Sequence, residues 1–97
     1  MIGTGQPAFP WTRESIVSNA PSASGVYAIF NPQAWIYVGE SGDIRARLLQ
    51  HFDGDNPCIT RMHPGGFQFE LCPAAQRVAR QNQLILALTP ACNQKLG

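Results

Sequence analysis

Two β-rich runs in the first half of the chain, separated by a short turn, most constrain the fold. The run Gly25–Phe30 reads Gly-Val-Tyr-Ala-Ile-Phe, and residues 35–38 read Trp-Ile-Tyr-Val. Residues 31–33, Asn-Pro-Gln, supply the turn between them. Runs rich in β-branched and aromatic residues on both sides of such a turn predict a β-hairpin, with Gly25–Phe30 as a buried strand. The rest of the fold has to cover this antiparallel pair.

Three further segments complete the predicted order. Ser41 or Asp43 is a candidate N-cap for a helix that runs to about Phe52. Residues 66–71 alternate apolar and polar side chains, as a half-buried strand does, and residues 74–88 contain good helix formers without Gly or Pro. The order β-β-α-β-α predicts an α+β fold, a three-stranded antiparallel sheet flanked by helices. On the helix predicted to end at about Phe52, the core-facing stripe is Ile44, Leu48, Leu49 and Phe52.

The length and composition limit the chain to one small domain, since 97 residues bury a single core. Residues 1–23, with several Pro, Gly and Ser, predict an N-terminal arm that holds one short helix capped by Thr12, and residues 24–97 form the domain. No apolar run approaches the roughly 20 residues of a membrane span. The first five residues lack a secretory signal, so a cytoplasmic location is expected.

The net charge argues against nucleic-acid binding through bulk charge, and the cysteine pattern argues against a disulfide framework or a zinc site. A formal net charge of +1 is too small to indicate nucleic-acid binding through bulk charge, so phosphate binding would have to be local. Cys58, Cys72 and Cys92 are odd in number and widely spaced. This pattern predicts reduced, partly buried thiols and neither a disulfide framework nor a zinc site.

Two tripeptides in the hairpin resemble the paired signature of the GIY-YIG nuclease family. They are Gly-Val-Tyr at 25–27 and Tyr-Val-Gly at 37–39, with ten residues from one tyrosine to the other. Arg47 follows the second glycine by eight residues and His51 follows Arg47 by four, as in the family pattern. The segment 84–93, from Leu-Ile to Pro-Ala-Cys-Asn, is similar to the close of the family domain. The resemblance covers residues 25–93, nearly the whole predicted domain.

This resemblance implies hydrolysis of a DNA phosphodiester assisted by Mg²⁺ or Mn²⁺. It further implies that Tyr27 polarises or deprotonates the attacking water and that Tyr37 orients the water or the phosphate. The competing interpretation is that both rings only fill the core, as aromatic residues in hairpins usually do. The candidate substrate-binding residues are Gly39, Arg45 and Asn93, with a solvated surface role as the alternative for Arg45.

Arg47 and His51 have a chemistry that can be argued from the sequence itself. They are four residues apart, so they share one helix face, which lies off the apolar stripe and is expected to point out of the protein. The guanidinium of Arg47 is a planar fork of donors that fits phosphate oxygens and stabilises charge in the transition state. A solvated or structural histidine is the alternative for His51.

The chain departs from the family at the residue that should bind the metal. Family nucleases have a Glu three residues before the Leu-Ile pair, where this chain has Gln81. An amide offers no formal charge to a hard cation, so metal binding should be weak. Glu40, Asp43 and Glu70 are the candidate substitutes. Gln81 falls within the apolar stripe predicted for the last helix, which is Val78, Leu84, Ile85 and Leu88.

Three functions fit this sequence. The first is a DNA endonuclease impaired by Gln81, through natural loss or a laboratory substitution, unless another carboxylate takes over. The second is a nucleic-acid-binding module that has kept the phosphate pocket and lost catalysis. The third is a protein-interaction domain. The oligomeric state is open, although a small nuclease that cuts both strands of a duplex would need two copies.

Overall fold

A four-stranded antiparallel sheet forms the centre of the computed structural model, which describes residues 6–93. The strands are β1, Phe9–Pro10; β2, Gly25–Phe30; β3, Trp35–Ser41; and β4, Gly66–Leu71, in the spatial order β1-β4-β2-β3. The hairpin β2–β3 and the third strand β4 confirm the predicted antiparallel α+β architecture, and β1 adds one strand more than predicted. Residues 1–5 of the predicted arm and 94–97 of the predicted domain lie outside the described range.

Aromatic contacts explain the additional strand. The Phe9 ring lies 5.5 Å from the Phe67 ring and 6.0 Å from the Phe69 ring, and Trp11 meets Phe67 edge-on at 6.3 Å. Such pairs bury large apolar areas. The described part of the predicted arm therefore packs on the sheet, and it continues into a helix whose Ile16 lies fully in the core.

Side-chain caps set where three helices begin. Helix α1, Arg13–Asn19, is the short helix predicted in the arm, and the Thr12 hydroxyl accepts from the Ser15 backbone N–H at 3.1 Å. Helix α2, Ile44–Phe52, is capped by Asp43, whose carboxylate accepts from the Ala46 N–H at 3.0 Å. Each cap satisfies a backbone donor that the first turn leaves open. A helix that was not predicted, α3, Pro57–Arg61, is capped in the same way by Asn56.

The last helix is shorter than predicted. Residues Ala74–Gln76 form a 3₁₀ turn, and α4 spans Arg77–Leu88. It ends at Thr89, whose φ of 45° is left-handed and whose N–H bonds to the Ile85 carbonyl at 2.9 Å. Within residues 6–93, none of the helices has the length and apolarity needed to cross a membrane.

The sheet separates two apolar clusters because side chains alternate between its faces. On one face Tyr27 and Ile29 pack against α2, and on the other Val26, Ala28 and Val38 pack against Leu84 and Ile85 of α4. The register shifts after Ile29, which pairs with Tyr37 while the next residue pairs with Trp35. This bulge leaves Ile36 unpaired and brings both Ile36 and Tyr37 to the α2 face. Both tyrosines therefore lie on the face of the sheet that packs against α2.

A disulfide between Cys58 and Cys92 contradicts the prediction of reduced thiols. Their Cα atoms are 5.8 Å apart although their sequence separation is 34. The backbone N–H of Cys92 donates to the Ile36 carbonyl at 2.8 Å, which holds the C-terminal segment on β3 and brings it to α3. The wide spacing of the cysteines along the sequence does not indicate that Cys58 and Cys92 lie close together. Cys72 is free and half-buried, as predicted.

Candidate active site

Tyr27 and Gly39 lie opposite each other on β2 and β3 and share one space. Tyr27 is 1% exposed. A Cβ atom on residue 39 would fall 2.3 Å from the Tyr27 hydroxyl oxygen and 2.5 Å from its Cζ, closer than real Cβ atoms approach. Gly39, predicted as a substrate-binding residue, therefore provides the space in which the Tyr27 hydroxyl lies.

His51 of α2 completes an aromatic cluster with the buried Tyr27 and the half-buried Tyr37. Its Nε2 is 2.8 Å from the Tyr27 hydroxyl oxygen, and its ring centroid is 5.6 Å from that of Tyr27 and 5.1 Å from that of Tyr37. The prediction that His51 points out with Arg47 is wrong, since His51 is 2% exposed. The reason is that it follows the buried Leu48 by three residues and so extends the core face of α2.

Asp55 joins His51 to Arg47. One carboxylate oxygen lies 2.9 Å from His51 Nδ1, and the other lies 2.6 Å from Arg47 Nη1. Arg47 Nη1 also donates to Gln50 Oε1 at 2.7 Å. The side chains of Arg47 and Asp55 are 36% and 35% exposed, so this end of the network faces solvent. Tyr27, His51, Asp55 and Arg47 thus form a continuous chain of contacts from the core to the surface.

The environment sets the protonation of the network. Burial, and then the neighbouring Tyr37, raises the pKa of Tyr27 far above its ordinary value, although the Arg47 guanidinium acts to lower it. Burial lowers the pKa of His51, against the opposing charge of Asp55. The pKa of Asp55 is lowered because the Arg47 hydrogen bond and His51 outweigh its partial burial. At neutral pH, Tyr27 and His51 are therefore neutral and Asp55 is ionised.

These states fix the direction of both hydrogen bonds of His51. An ionised carboxylate only accepts, so His51 Nδ1–H donates to Asp55. In a neutral imidazole the other nitrogen then carries the lone pair, so Nε2 accepts from the Tyr27 hydroxyl. In this tautomer the Tyr27 hydroxyl donates to a nitrogen that can take its proton. This order of donor, imidazole and carboxylate follows the same logic as a serine–histidine–aspartate triad.

Gln81 lies on the helix that covers the opposite face of the sheet. It is half-buried on α4, one turn before Leu84 and Ile85, which are buried against the sheet. One turn earlier, Arg77 Nε donates to Glu40 Oε1 at 2.8 Å, which fixes this part of α4 to the end of β3. Val78 was predicted in the buried stripe and is 53% exposed, because α4 turns the side holding Arg77 to the sheet.

Comparison with known proteins decides the family. A family model described as the GIY-YIG catalytic domain matches residues 23–85. The chain belongs to the GIY-YIG family. The resemblance in the sequence is therefore confirmed, and the two motif tyrosines, Arg47 and Gln81 all lie within the matched range. A comparison with curated protein sequences finds no match.

Solved structures of GIY-YIG domains share this fold. The N-terminal endonuclease domain of UvrC from Thermotoga maritima, in a point mutant bound to its catalytic divalent cation, superposes with a TM-score of 0.74 at 21% identity, covering 86% of this chain and 94% of that one. A second point mutant gives 0.74 at 20% identity with the same coverage. The magnesium-bound domain gives 0.71 at 21% identity, covering 81% of this chain and 91% of that one. At these sequence identities, the structural comparison shows a shared fold and nothing more specific.

Each predicted substitute for the GIY-YIG metal carboxylate has a structural contact. Glu40 pairs with Arg77, and Asp43 caps α2. Glu70 receives two hydrogen bonds from Arg80, at 2.9 and 3.0 Å. A guanidinium in such a pair competes with a cation for the charge of the carboxylate.

The described residues do not fit a divalent cation. Residues 6–93 hold no group of three or more His, Cys, Asp or Glu side chains placed to bind a metal. Position 81 presents an amide where the GIY-YIG pattern has a carboxylate. Hard cations such as Mg²⁺ favour carboxylate oxygens.

Arg45 and Asn93, two of the three predicted substrate-binding residues, lie outside the network. Arg45 Nε donates to the Ala20 carbonyl at 2.8 Å, which ties α2 to the end of α1. Asn93 accepts from the Val38 N–H at 2.8 Å and donates to the Val38 carbonyl at 2.9 Å. It fastens the C-terminal segment to the free edge of β3, beside Tyr37.

Asp55 is a member of the site that sequence reasoning missed. It follows His51 by four residues, a spacing that brings side chains together on a helix, but α2 has already ended at Phe52. Gly54, with a φ of 94°, turns the chain back so that the carboxylate still reaches the helix. The sequence did contain an indication of this contact: Asp55 follows His51 by four residues, just after the turn residue Gly54.

Proposed function

We propose that this GIY-YIG domain binds the phosphodiester backbone of DNA at Arg47 and supports its hydrolysis through Tyr27 and His51, at a rate reduced by Gln81. The observation that carries the proposal is the continuous chain of contacts from Tyr27 through His51 and Asp55 to Arg47, at 2.8, 2.9 and 2.6 Å. A packing role for the tyrosines alone would not require a buried histidine aligned between a phenol and a carboxylate.

Arg47 is the proposed phosphate-binding residue. It is the member of the network that combines a permanent positive charge with partial exposure. A guanidinium carries five N–H donors, and the bonds to Asp55 and Gln50 both start from Nη1. The side of the fork formed by Nε and Nη2 is proposed to meet the phosphate oxygens.

Tyr27 and His51 are proposed to move the proton of the attacking water. The water oxygen bonds to phosphorus as its proton passes to the Tyr27 oxygen and the Tyr27 proton passes to His51 Nε2. The phosphorus–oxygen bond to the leaving alcohol breaks, and the leaving oxygen takes a proton from solvent. His51 then returns its proton to the Tyr27 oxygen, whose own proton leaves to a water molecule at the site. No free phenolate is needed, which agrees with the raised pKa of Tyr27.

Tyr37 is proposed to mark the entry of water and phosphate. Its ring contacts both members of the proton pair, with centroids 6.3 Å from Tyr27 and 5.1 Å from His51. Unlike them, Tyr37 is only half-buried. It therefore links the buried pair to the surface where Arg47 is exposed.

The deciding experiment compares the chain with Gln81→Glu and a matched control, Gln83→Glu. The control adds the same charge on the exposed side of the same helix, where Gln83 bonds to Arg80. Each protein is incubated with single-stranded, duplex and branched DNA, with Mg²⁺ or Mn²⁺ and without metal. Cleavage gained by Gln81→Glu and not by Gln83→Glu supports the proposal. Cleavage by neither, or equal gain by both, contradicts it.

A binding module without catalysis is the second candidate, and the contacts of the acidic residues favour it. Glu40 and Glu70 are held by arginines, and Gln81 brings no charge to a metal. This function predicts salt-dependent DNA binding with no cleavage by any variant. Absence of binding would favour the protein-interaction domain. On duplex DNA, the nuclease is proposed to act as two copies, one for each strand.

A further inference from the structure

We propose that Asp55 is the positioning residue of this site: it holds His51 in the tautomer that accepts the Tyr27 proton and aims the Arg47 fork at the substrate. The role of Asp55 in catalysis rests on the proposed function. The geometry on which the inference stands is independent of that function. One carboxylate binds both functional groups, with Oδ1 on His51 Nδ1 and Oδ2 on Arg47 Nη1.

Asp55 reaches His51 from the side opposite to Tyr27. Nδ1 and Nε2 project from opposite sides of the imidazole ring, and Asp55 bonds to Nδ1 while Tyr27 bonds to Nε2. A carboxylate accepts only, so it holds the proton on Nδ1 and keeps the Nε2 lone pair toward the phenol. If the proton moved to Nε2, that nitrogen would become a donor and the proton path from Tyr27 would close.

The groups that face His51 come from the sheet and from its own helix. Tyr27 and Tyr37 face it from β2 and β3, and Arg47 and Asp55 face it from α2 and the turn that follows. A phenol hydroxyl can both donate and accept, so neither tyrosine selects one tautomer, and Arg47 cannot accept a proton. Asp55 is therefore the group among these that can select the Nδ1–H tautomer.

Asp55 constrains Arg47 in the same way from the other side. Arg47 Nη1 donates to Asp55 Oδ2 at 2.6 Å and to Gln50 Oε1 at 2.7 Å. A planar guanidinium held at one terminal nitrogen presents its remaining edge in a fixed direction. Asp55 thus contacts the guanidinium at Nη1, away from the edge formed by Nε and Nη2 that is proposed to meet the phosphate. The same guanidinium also interacts with the Tyr27 phenol.

The turn that carries Asp55 is built to return it to α2. Gly54 adopts a φ of 94°, and its N–H donates to the His51 carbonyl at 3.0 Å. The backbone N–H of Asp55 donates to the Gln50 carbonyl at 3.3 Å. The carboxylate is therefore placed by the backbone and not by a long flexible side chain.

Asp55→Asn tests the proposal, with Asp53→Asn as its matched control. Both variants remove one negative charge from the same turn, but Asp53 pairs with Arg13 at an exposed site. The measurement is the imidazole ¹⁵N spectrum of each protein, with His51 assigned by a His51→Gln variant. We expect the parent and Asp53→Asn to show His51 protonated on Nδ1 at neutral pH, and Asp55→Asn to lose that preference. Equal spectra for the two Asn variants would overturn the proposal.

A second measurement examines catalysis in the Gln81→Glu background. Asp55→Asn is expected to lower kcat at neutral pH by at least about tenfold relative to Asp53→Asn, since the tautomer is lost. Asp55→Asn should also bind DNA more weakly than Asp53→Asn, by at least about threefold, because both remove one negative charge but only Asp55→Asn releases the Arg47 guanidinium. Equal kcat values would contradict the inference. If Gln81→Glu is itself inert, the proposed function fails, and the nitrogen spectra still decide the role of Asp55.

Discussion

The Tyr27 hydroxyl lies where a side chain on residue 39 would have to be. The missing Cβ of Gly39 would sit 2.3 Å from that oxygen, and the same oxygen is 2.8 Å from His51 Nε2. Gly39, which ends the second motif, thus leaves the space that the side chain of Tyr27, which ends the first motif, fills. Any side chain at residue 39 would move the phenol away from the imidazole.

Gly39→Ala should therefore destabilise the protein and break the Tyr27–His51 contact. Forcing a methyl group into this space should cost about 1–3 kcal/mol of unfolding free energy, measured by denaturant titration. Gly42→Ala is the control, since the nearest atom to its added Cβ is Arg77 Nη1 at 3.8 Å. A loss of stability in Gly42→Ala as large as in Gly39→Ala would show that the space around Tyr27 is not the cause.

Arg47→Ala should weaken DNA binding more than an equal loss of charge elsewhere. Losing one phosphate contact should reduce the salt slope of binding by about 1 and the affinity by about tenfold at moderate salt. Arg61→Ala removes the same charge from an exposed position on a different helix, α3. Fluorescence anisotropy with labelled DNA over a salt series measures both. Equal effects from the two variants would contradict a specific role for Arg47.

Local signals made the hairpin and the main helices predictable. The turn at residues 31–33, the cap at Asp43 and the stop at Thr89 each act within a few residues, and the structure places each of them as an element boundary. The family spacing also led to Tyr27 and His51, which lie in contact.

The features that were missed depend on contacts between distant parts of the chain. The disulfide joins residues 34 apart, and β1 forms because Phe9 finds aromatic partners on β4. His51 was expected on the surface because it shares a helix face with Arg47, but it also follows the buried Leu48 by three residues. Asp55 reaches the site only through the backbone turn at Gly54. Neither periodicity nor composition contains these relationships.

Reduction of the disulfide between Cys58 and Cys92 should lower the stability. Opening a loop that spans a sequence separation of 34 should cost about 3–4 kcal/mol through the entropy of the unfolded chain. The check is denaturant unfolding with and without reductant, and with Cys58→Ala/Cys92→Ala. Cys72→Ala should keep the full response to reductant. A response that disappears in Cys72→Ala would mean that another pairing is present.

The stability of the protein should fall as the pH decreases from neutrality through about 6.5, the pKa of a histidine in the unfolded chain. Burial lowers the pKa of His51 in the folded protein, so the unfolded chain binds a proton at a higher pH than the folded one does. Unfolding then takes up protons in the window between the two pKa values, and the free energy of unfolding rises with pH there. Asp55, whose pKa is lowered below 3.8, adds a separate loss at more acidic pH.

Chemical unfolding from pH 7.5 to 5 measures this dependence, and His51→Gln should flatten the slope in the window below about 6.5. His63→Asn is the control, because residue 63 is an exposed loop position whose φ of 57° suits asparagine. The control should keep the slope of the parent protein. A slope that is lost in His63→Asn and kept in His51→Gln would contradict the buried neutral imidazole on which the proton path from Tyr27 depends.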